Sequence, residues 1–177
     1  MKQYSFSPFP QLITDRLILR QLLPADVVDI VVLRNNATVN QYLDRPKHTT
    51  ETEAVQFIEK INKGIAANQL IYWVITLKEN NTFIGTICMW NFDGEKNTAE
   101  TGYELLPGFH GKGLMQEALK AALDFGFIQL KLAAINAFTH SDNAASIKLL
   151  QKNYFTLAGV SPESPDEIIY TLNNPLH

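Results

Sequence analysis

A junction near the middle of the chain restricts its fold more than any other stretch. An alternating segment, Thr98 to Leu106, runs into a turn that holds Gly108, Gly111 and Gly113 within six residues, and a helical pattern begins at once from Leu114. The first N–H groups of a helix have no partner within it, and they lie at the positive end of its dipole. Glycines let the backbone adopt φ > 0 and let an anion approach without meeting a side chain. A strand, a glycine turn and a helix in this order can therefore cradle the phosphates of a cofactor. The turn lacks the Gly-x-x-x-x-Gly-Lys-Ser/Thr spacing of a P-loop, and only Gly111 and Gly113 are as close as a dinucleotide fingerprint needs. By itself, a Gly-x-Gly before a helix is also compatible with an ordinary tight turn.

The apolar periodicity on either side predicts an ordered series of elements. Arg16 to Leu23 reads as a first strand, and Pro24-Ala25-Asp26 opens a helix over Val27 to Arg34. Thr50 and Glu53 have capping-box spacing, with Val55, Ile58, Ile61 and Ile65 as an apolar stripe behind them. Ile71 to Leu77 and Phe83 to Trp90 flank a polar hairpin loop, and a second turn leads into Thr98 to Leu106. Met115, Ala118, Leu119 and Ala122 share one face of the next helix. Leu132 to Phe138 reads as a buried strand, and Ser141-Asp142-Asn143 caps a helix to about Lys152. Phe155 to Val160 and Ile168 to Leu172 supply the last strands. The order describes a mixed α/β sheet with helices on both faces. Its central three-strand meander argues against a doubly wound nicotinamide-binding fold.

At 177 residues, 46% apolar and 19% charged, the chain suits one globular domain spanning 1–177. No run approaches the roughly 20 apolar residues of a membrane helix, and Met1 to Pro10 lacks the apolar core of a signal peptide. The expectation is a cytoplasmic protein with no membrane partner. A net charge of −3 without a basic cluster disfavours nucleic acid and tolerates a basic or amine-bearing partner. Cys88 is the only cysteine, which excludes an intramolecular disulfide, and its apolar surroundings make it an inert buried thiol. His48, His110, His140 and His177 are scattered, so no metal is expected.

Strand alternation puts Glu100, Gly102 and Glu104 on one face of the segment before the glycine turn. Two carboxylates beside a glycine suit either a ligand site, with the glycine leaving room for it, or a solvated strand face. Further on, Asn143 begins a helix that carries Ser146 and Leu150 one turn apart. Asn143 alone reads as an N-cap, and Ser146 as a solvent-facing or back-bonded helical serine.

Taken together, Ala99-Glu100-Thr101-Gly102-Tyr103-Glu104-Leu105, His110-Gly111-Lys112-Gly113-Leu114-Met115 and Asn143-x-x-Ser146 resemble the GNAT N-acetyltransferases. Leu12-Ile13-Thr14-Asp15-Arg16-Leu17-Ile18-Leu19-Arg20 is similar to the opening of the branch holding ribosomal-protein alanine and serine N-terminal acetyltransferases. The resemblance covers roughly Thr14 to Leu172. It implies a largely antiparallel central sheet of about seven strands, helices on both faces, and acetyl-CoA as cosubstrate. In that family the pyrophosphate rests on the loop amides, here His110, Gly111, Lys112, Gly113, Leu114 and Met115. The pantetheine arm pairs with the preceding strand, here around Glu104, Leu105 and Leu106, and touches the residue matched by Asn143.

This chain departs from the family loop in having His110 first and Met115 last. Many members also carry a proton-donating Tyr seven residues after the motif Asn, where this chain has Leu150. Ser146 is then the first candidate to reprotonate the CoA thiolate, and Tyr154, expected in the core, a distant second. Glu100 is the first candidate for the base that deprotonates the amine, Glu104 the second. A strand N–H near Leu105 would stabilise the oxyanion, with no covalent enzyme intermediate. The resemblance implies direct acetyl transfer to a primary amine. The amine is a protein N-terminus, such as that of a ribosomal protein, or a small molecule such as a polyamine, amino acid or antibiotic. A reading from another class is an acyl-CoA sensor without catalysis. A homodimer is compatible with the family.

Overall fold

A computed structural model describes residues 4–175; the first three residues of the Met1 to Pro10 segment, and His177, lie outside this range. Its sheet has the order β1-β2-β3-β4-β5-β6-β8-β7. The strands are β1 (Leu12–Ile13), β2 (Leu17–Gln21), β3 (Ile71–Leu77), β4 (Phe83–Asp93), β5 (Thr98–Leu105), β6 (Ala134–His140), β7 (Thr156–Val160) and β8 (Glu167–Asn173). Eight strands stand where about seven are expected; the addition is two-residue β1, too short to show periodicity. The helices are α1 (Val27–Asn35), α2 (Glu51–Ala66), α3 (Leu114–Asp124) and α4 (Ala144–Lys152). Every pairing is antiparallel except β5 with β6.

Adjacent strand residues point to opposite faces, which sorts the helices. Tyr72 meets Phe57 of α2, with ring centroids 5.8 Å apart. Its neighbour Trp73 meets Phe125 beyond α3 at 5.4 Å on the other side. Tyr103 shares Trp73's side through Ile87 in the strand register, and its hydroxyl reaches Ser146 of α4. The core is aliphatic: Leu17, Leu19, Ile75, Ile87, Met89, Leu119 and Ile135 are fully buried. Met115, Ala118, Leu119 and Ala122 all face it, as their spacing predicts.

Thr50 and Glu53 form the capping box expected at α2, each side chain reaching the other's backbone N–H. The stripe behind it needs one correction. Ile58 and Ile65 are buried, but Val55 is exposed, and Ala54 takes the inward position. Tyr154 is corrected too: it lies 85% exposed at φ +65, and the core position belongs to Phe155. Gly85 is required where β4 meets β5, because a Cβ there would come within 2.1 Å of the Glu104 carbonyl oxygen.

The Thr14 to Arg20 phrase ties elements together. Glu117, in the first turn of α3, accepts from Thr14 Oγ1 at 2.6 Å, the Arg16 N–H at 2.8 Å and Arg16 Nε at 2.7 Å. Arg16 Nη1 also donates to the Lys112 carbonyl at 2.9 Å. Arg20 makes a two-pronged pair with buried Asp26, which caps the turn before α1 by accepting from the Leu23 N–H.

Candidate active site

The parallel ladder of β5 and β6 covers only Thr98 to Thr101 against Ala134 to Ala137. Beyond it, β5 continues beside β4 and β6 beside β8, so a wedge opens between their C-terminal halves. Crevices at the carboxyl ends of parallel strands are where open α/β sheets receive ligands. The Leu106 N–H donates to Ile84 across β4, and alternation turns the Leu105 N–H and carbonyl the other way, into the wedge. His110 Nε2 meets the Leu105 carbonyl at 2.8 Å, which ties the loop to the strand and leaves the Leu105 N–H as the wedge's donor. Both backbone groups of Leu106 are paired internally, its carbonyl accepting from Phe109.

The glycine loop lies at the mouth of the wedge. Gly111 and Gly113 sit at φ +72 and +73, the left-handed region that glycine enters without strain. A Cβ on Gly111 would meet nothing within 4 Å, so an open surface faces it. Among the described residues, the N–H groups of Gly111, Lys112, Gly113, Leu114, Met115 and Gln116 make no hydrogen bond, and no side chain caps α3. Lys112 folds back, its Nζ donating to Gly108. A run of free amides at a helix N-terminus fits a pyrophosphate.

On the α4 side, Asn143 accepts from the Ser146 N–H at 3.1 Å, so it is an N-cap. Ser146 Oγ lies 2.8 Å from the Tyr103 hydroxyl, a contact that crosses the wedge. Burial pushes the Tyr103 hydroxyl up to about 12, against the hydrogen bond to Ser146, so it stays protonated at neutral pH. Leu150 is fully buried.

Glu100 and Glu104 lie on the face toward α2. No hydrogen bond or ion pair to Glu100 forms among the described residues. Glu104 stands in a mostly buried cluster, with Arg45 Nη1 at 2.6 Å from its Oε1. Burial pushes the Glu104 carboxyl up, and Arg45 and Arg34 only partly draw it back. The room expected beside Gly102 is filled instead by the Trp90 ring, which comes within 2.9 Å of where a Cβ would stand. Cys88 is half-buried, and burial pushes its thiol up to about 12, which keeps it an unreactive thiol. The contacts of Arg45, Tyr103 and Glu117 could not be read from the sequence, because their partners are distant in the chain. No group of three or more metal-ligating side chains occurs among the described residues, and no helix there is long and apolar enough to cross a membrane.

A largely antiparallel sheet that splays at one parallel pair, with a glycine loop and a bare helix end at the splay, defines an acyl-CoA-type acetyltransferase fold. Residues 16–156 match the acetyltransferase (GNAT) domain family, and the chain belongs to it. The uncharacterized N-acetyltransferase YoaA of Bacillus subtilis is 32% identical over 152 residues, 86% of each chain. The ribosomal-protein-S5-alanine acetyltransferase of Vibrio fischeri shares the fold with a TM-score of 0.78 at 21% identity, covering 94% of this chain and 97% of that one. The microcin C7 self immunity acetyltransferase MccE, solved with acetyl-CoA and AMP, gives 0.80 at 21% identity over 90% of this chain and 93% of its own. The protein is an acetyltransferase.

Proposed function

We propose that residues 1–177 act as a single N-acetyltransferase domain, with its core about residues 14–172, that moves an acetyl group from acetyl-CoA directly to a primary amine. The observation that carries this reading is the wedge, with the free amides of Gly111 to Gln116 at its mouth and the Leu105 N–H inside. The loop amides would hold the pyrophosphate, and the Leu105 N–H and the Asn143 side chain the amide-bearing arm. Bound acetyl-CoA supplies a thioester whose carbonyl carbon is open to an unprotonated amine. Glu100, unpartnered on the acceptor face, takes the amine's proton. The Leu105 N–H hydrogen-bonds the carbonyl oxygen as charge grows there. The Tyr103 hydroxyl and Ser146 Oγ share one hydrogen bond; with Tyr103 as its donor, the serine proton passes to the departing sulfur and the serine regains a proton from solvent. Glu104 is already paired with Arg45 and therefore ranks behind Glu100 as base.

The acceptor we favour is the α-amine of a protein N-terminus, in keeping with ribosomal-protein acetyltransferases among the structural neighbours. Calorimetry with acetyl-CoA, followed by a thiol-release assay over peptides and small amines, tests the reading. Micromolar binding with turnover on a peptide amine is expected. Absence of acetyl-CoA binding would overturn it, and binding without turnover on any amine would favour the sensor.

A further inference from the structure

The peptide between Lys112 and Gly113 lies in the middle of the bare loop, and its orientation decides whether the Gly113 N–H faces an incoming anion. Sterics leave that choice open. Turning this peptide over changes ψ of Lys112 and φ of Gly113 by about 180° each, and glycine enters both signs of φ with similar ease. Gly113 stands at φ +73. A contact from elsewhere must select the observed orientation.

Arg16 supplies that contact from outside the loop. Its Nη1 donates to the Lys112 carbonyl at 2.9 Å. In a planar trans peptide the C=O and the following N–H point in opposite directions. Holding the Lys112 carbonyl toward Arg16 therefore turns the Gly113 N–H away from it. The next peptide is fixed in the same manner, since the Gly113 carbonyl accepts from the Glu117 N–H at 3.1 Å and the Leu114 N–H points the other way. Neither N–H has a partner among the described residues.

Glu117 thus governs both peptides. Its own N–H holds one, and its carboxylate holds the arginine that holds the other, accepting from Arg16 Nε at 2.7 Å and the Arg16 N–H at 2.8 Å. The Arg16 side chain is half-exposed but anchored at two nitrogens of one planar fork. That fork bridges a carboxylate and a carbonyl with fixed geometry, which a lysine ammonium does not reproduce. With the peptide turned over, the Lys112 carbonyl oxygen would meet the phosphates where an N–H stands now, replacing attraction by repulsion.

We propose that Arg16 is a positioning residue for the cosubstrate: clamped by Glu117, it keeps the Gly113 N–H aimed at the pyrophosphate of CoA. This rests on the acetyl-CoA reading above and names the residue outside the glycine loop on which that site depends.

Calorimetric titration with CoA tests it without any acceptor or turnover. Arg16→Ala frees the Lys112 carbonyl. Thr14→Val removes the 2.6 Å hydrogen bond from Thr14 Oγ1 to the same Glu117 carboxylate and leaves Arg16 on Lys112. Both variants are expected to melt below wild type. CoA affinity should fall about tenfold or more in Arg16→Ala, as for one lost hydrogen bond to a charged group, and stay within about twofold of wild type in Thr14→Val. The Gly113 amide proton resonance gives a second readout: saturating CoA should shift it downfield in wild type and much less in Arg16→Ala. Unchanged CoA affinity in Arg16→Ala would overturn the positioning role and leave the acetyl-CoA reading intact. An equal loss of affinity in Thr14→Val would also overturn it, by showing that loosening the clip is sufficient. A wild type that does not bind CoA would overturn both.

Discussion

Replacing Glu117 with Ala cuts the clip between the β1–β2 turn and the first turn of α3. Glu117 is mostly buried, and its carboxylate accepts from Thr14 Oγ1, the Arg16 N–H and Arg16 Nε at 2.6–2.8 Å. Hydrogen bonds to a charged group contribute about 1.5 kcal/mol or more each, while the half-exposed Arg16 guanidinium adds less than about 1 kcal/mol. Water recovers part of this at the exposed Arg16 backbone, so a net loss of about 2–3 kcal/mol is expected. In a domain of this size that lowers Tm by roughly 5–10 °C. Urea unfolding of wild type, Glu117→Ala and Glu117→Gln measures it, with Gln retaining part of the stability because it still accepts hydrogen bonds. Burial pushes the Glu117 carboxyl up, yet the bonds from Thr14 and Arg16 outweigh it and hold the group below its ordinary value. Its stabilisation is therefore present above the ordinary carboxylate range and lost as pH falls through the folded value. Glu117→Gln should flatten that acid-side loss. A variant within about 0.5 kcal/mol of wild type would show that the clip does not hold α3 in place.

Other expectations follow from single contacts. Ser146→Ala should lower kcat about 100-fold with acetyl-CoA affinity retained, because the buried Leu150 supplies no proton and Tyr103 stands behind the serine; a kcat near wild type would remove Ser146 from proton donation. Gly85→Ala should cost about 3 kcal/mol or prevent folding, since its Cβ would meet the Glu104 carbonyl at 2.1 Å; an unchanged urea midpoint would contradict the close approach. Cys88, with its thiol pushed up to about 12, should react with Ellman's reagent at pH 8 roughly 1000-fold more slowly than in the urea-unfolded chain; comparable rates would show an accessible thiolate.

What could be read from the sequence was local. β3 spans the expected Ile71 to Leu77, Thr50 and Glu53 cap α2, and Asn143 caps α4, because each signal involves residues within one turn or strand. The glycine loop was readable for the same reason, since φ > 0 and bare amides are properties of six consecutive residues. The pairing of Tyr103 with Ser146, and of Arg45 with Glu104, joins residues 43 and 59 apart in sequence, and only the sheet brings them together. Gly102 misled in the same way: the space beside it belongs to Trp90, its diagonal neighbour across the β4–β5 ladder. Val55 shows the limit of periodicity, because α2 turns Ala54 and Ile58 inward rather than the larger residue.

The role of the acceptor face reduces to one carboxylate. Glu100→Gln keeps the shape of the side chain and removes its ability to take a proton, while the loop amides and the Leu105 N–H are untouched. With the preferred peptide amine at saturating acetyl-CoA, kcat/KM should fall at least about 100-fold at neutral pH, and acetyl-CoA affinity should match wild type. A wild-type rate in Glu100→Gln would contradict the account.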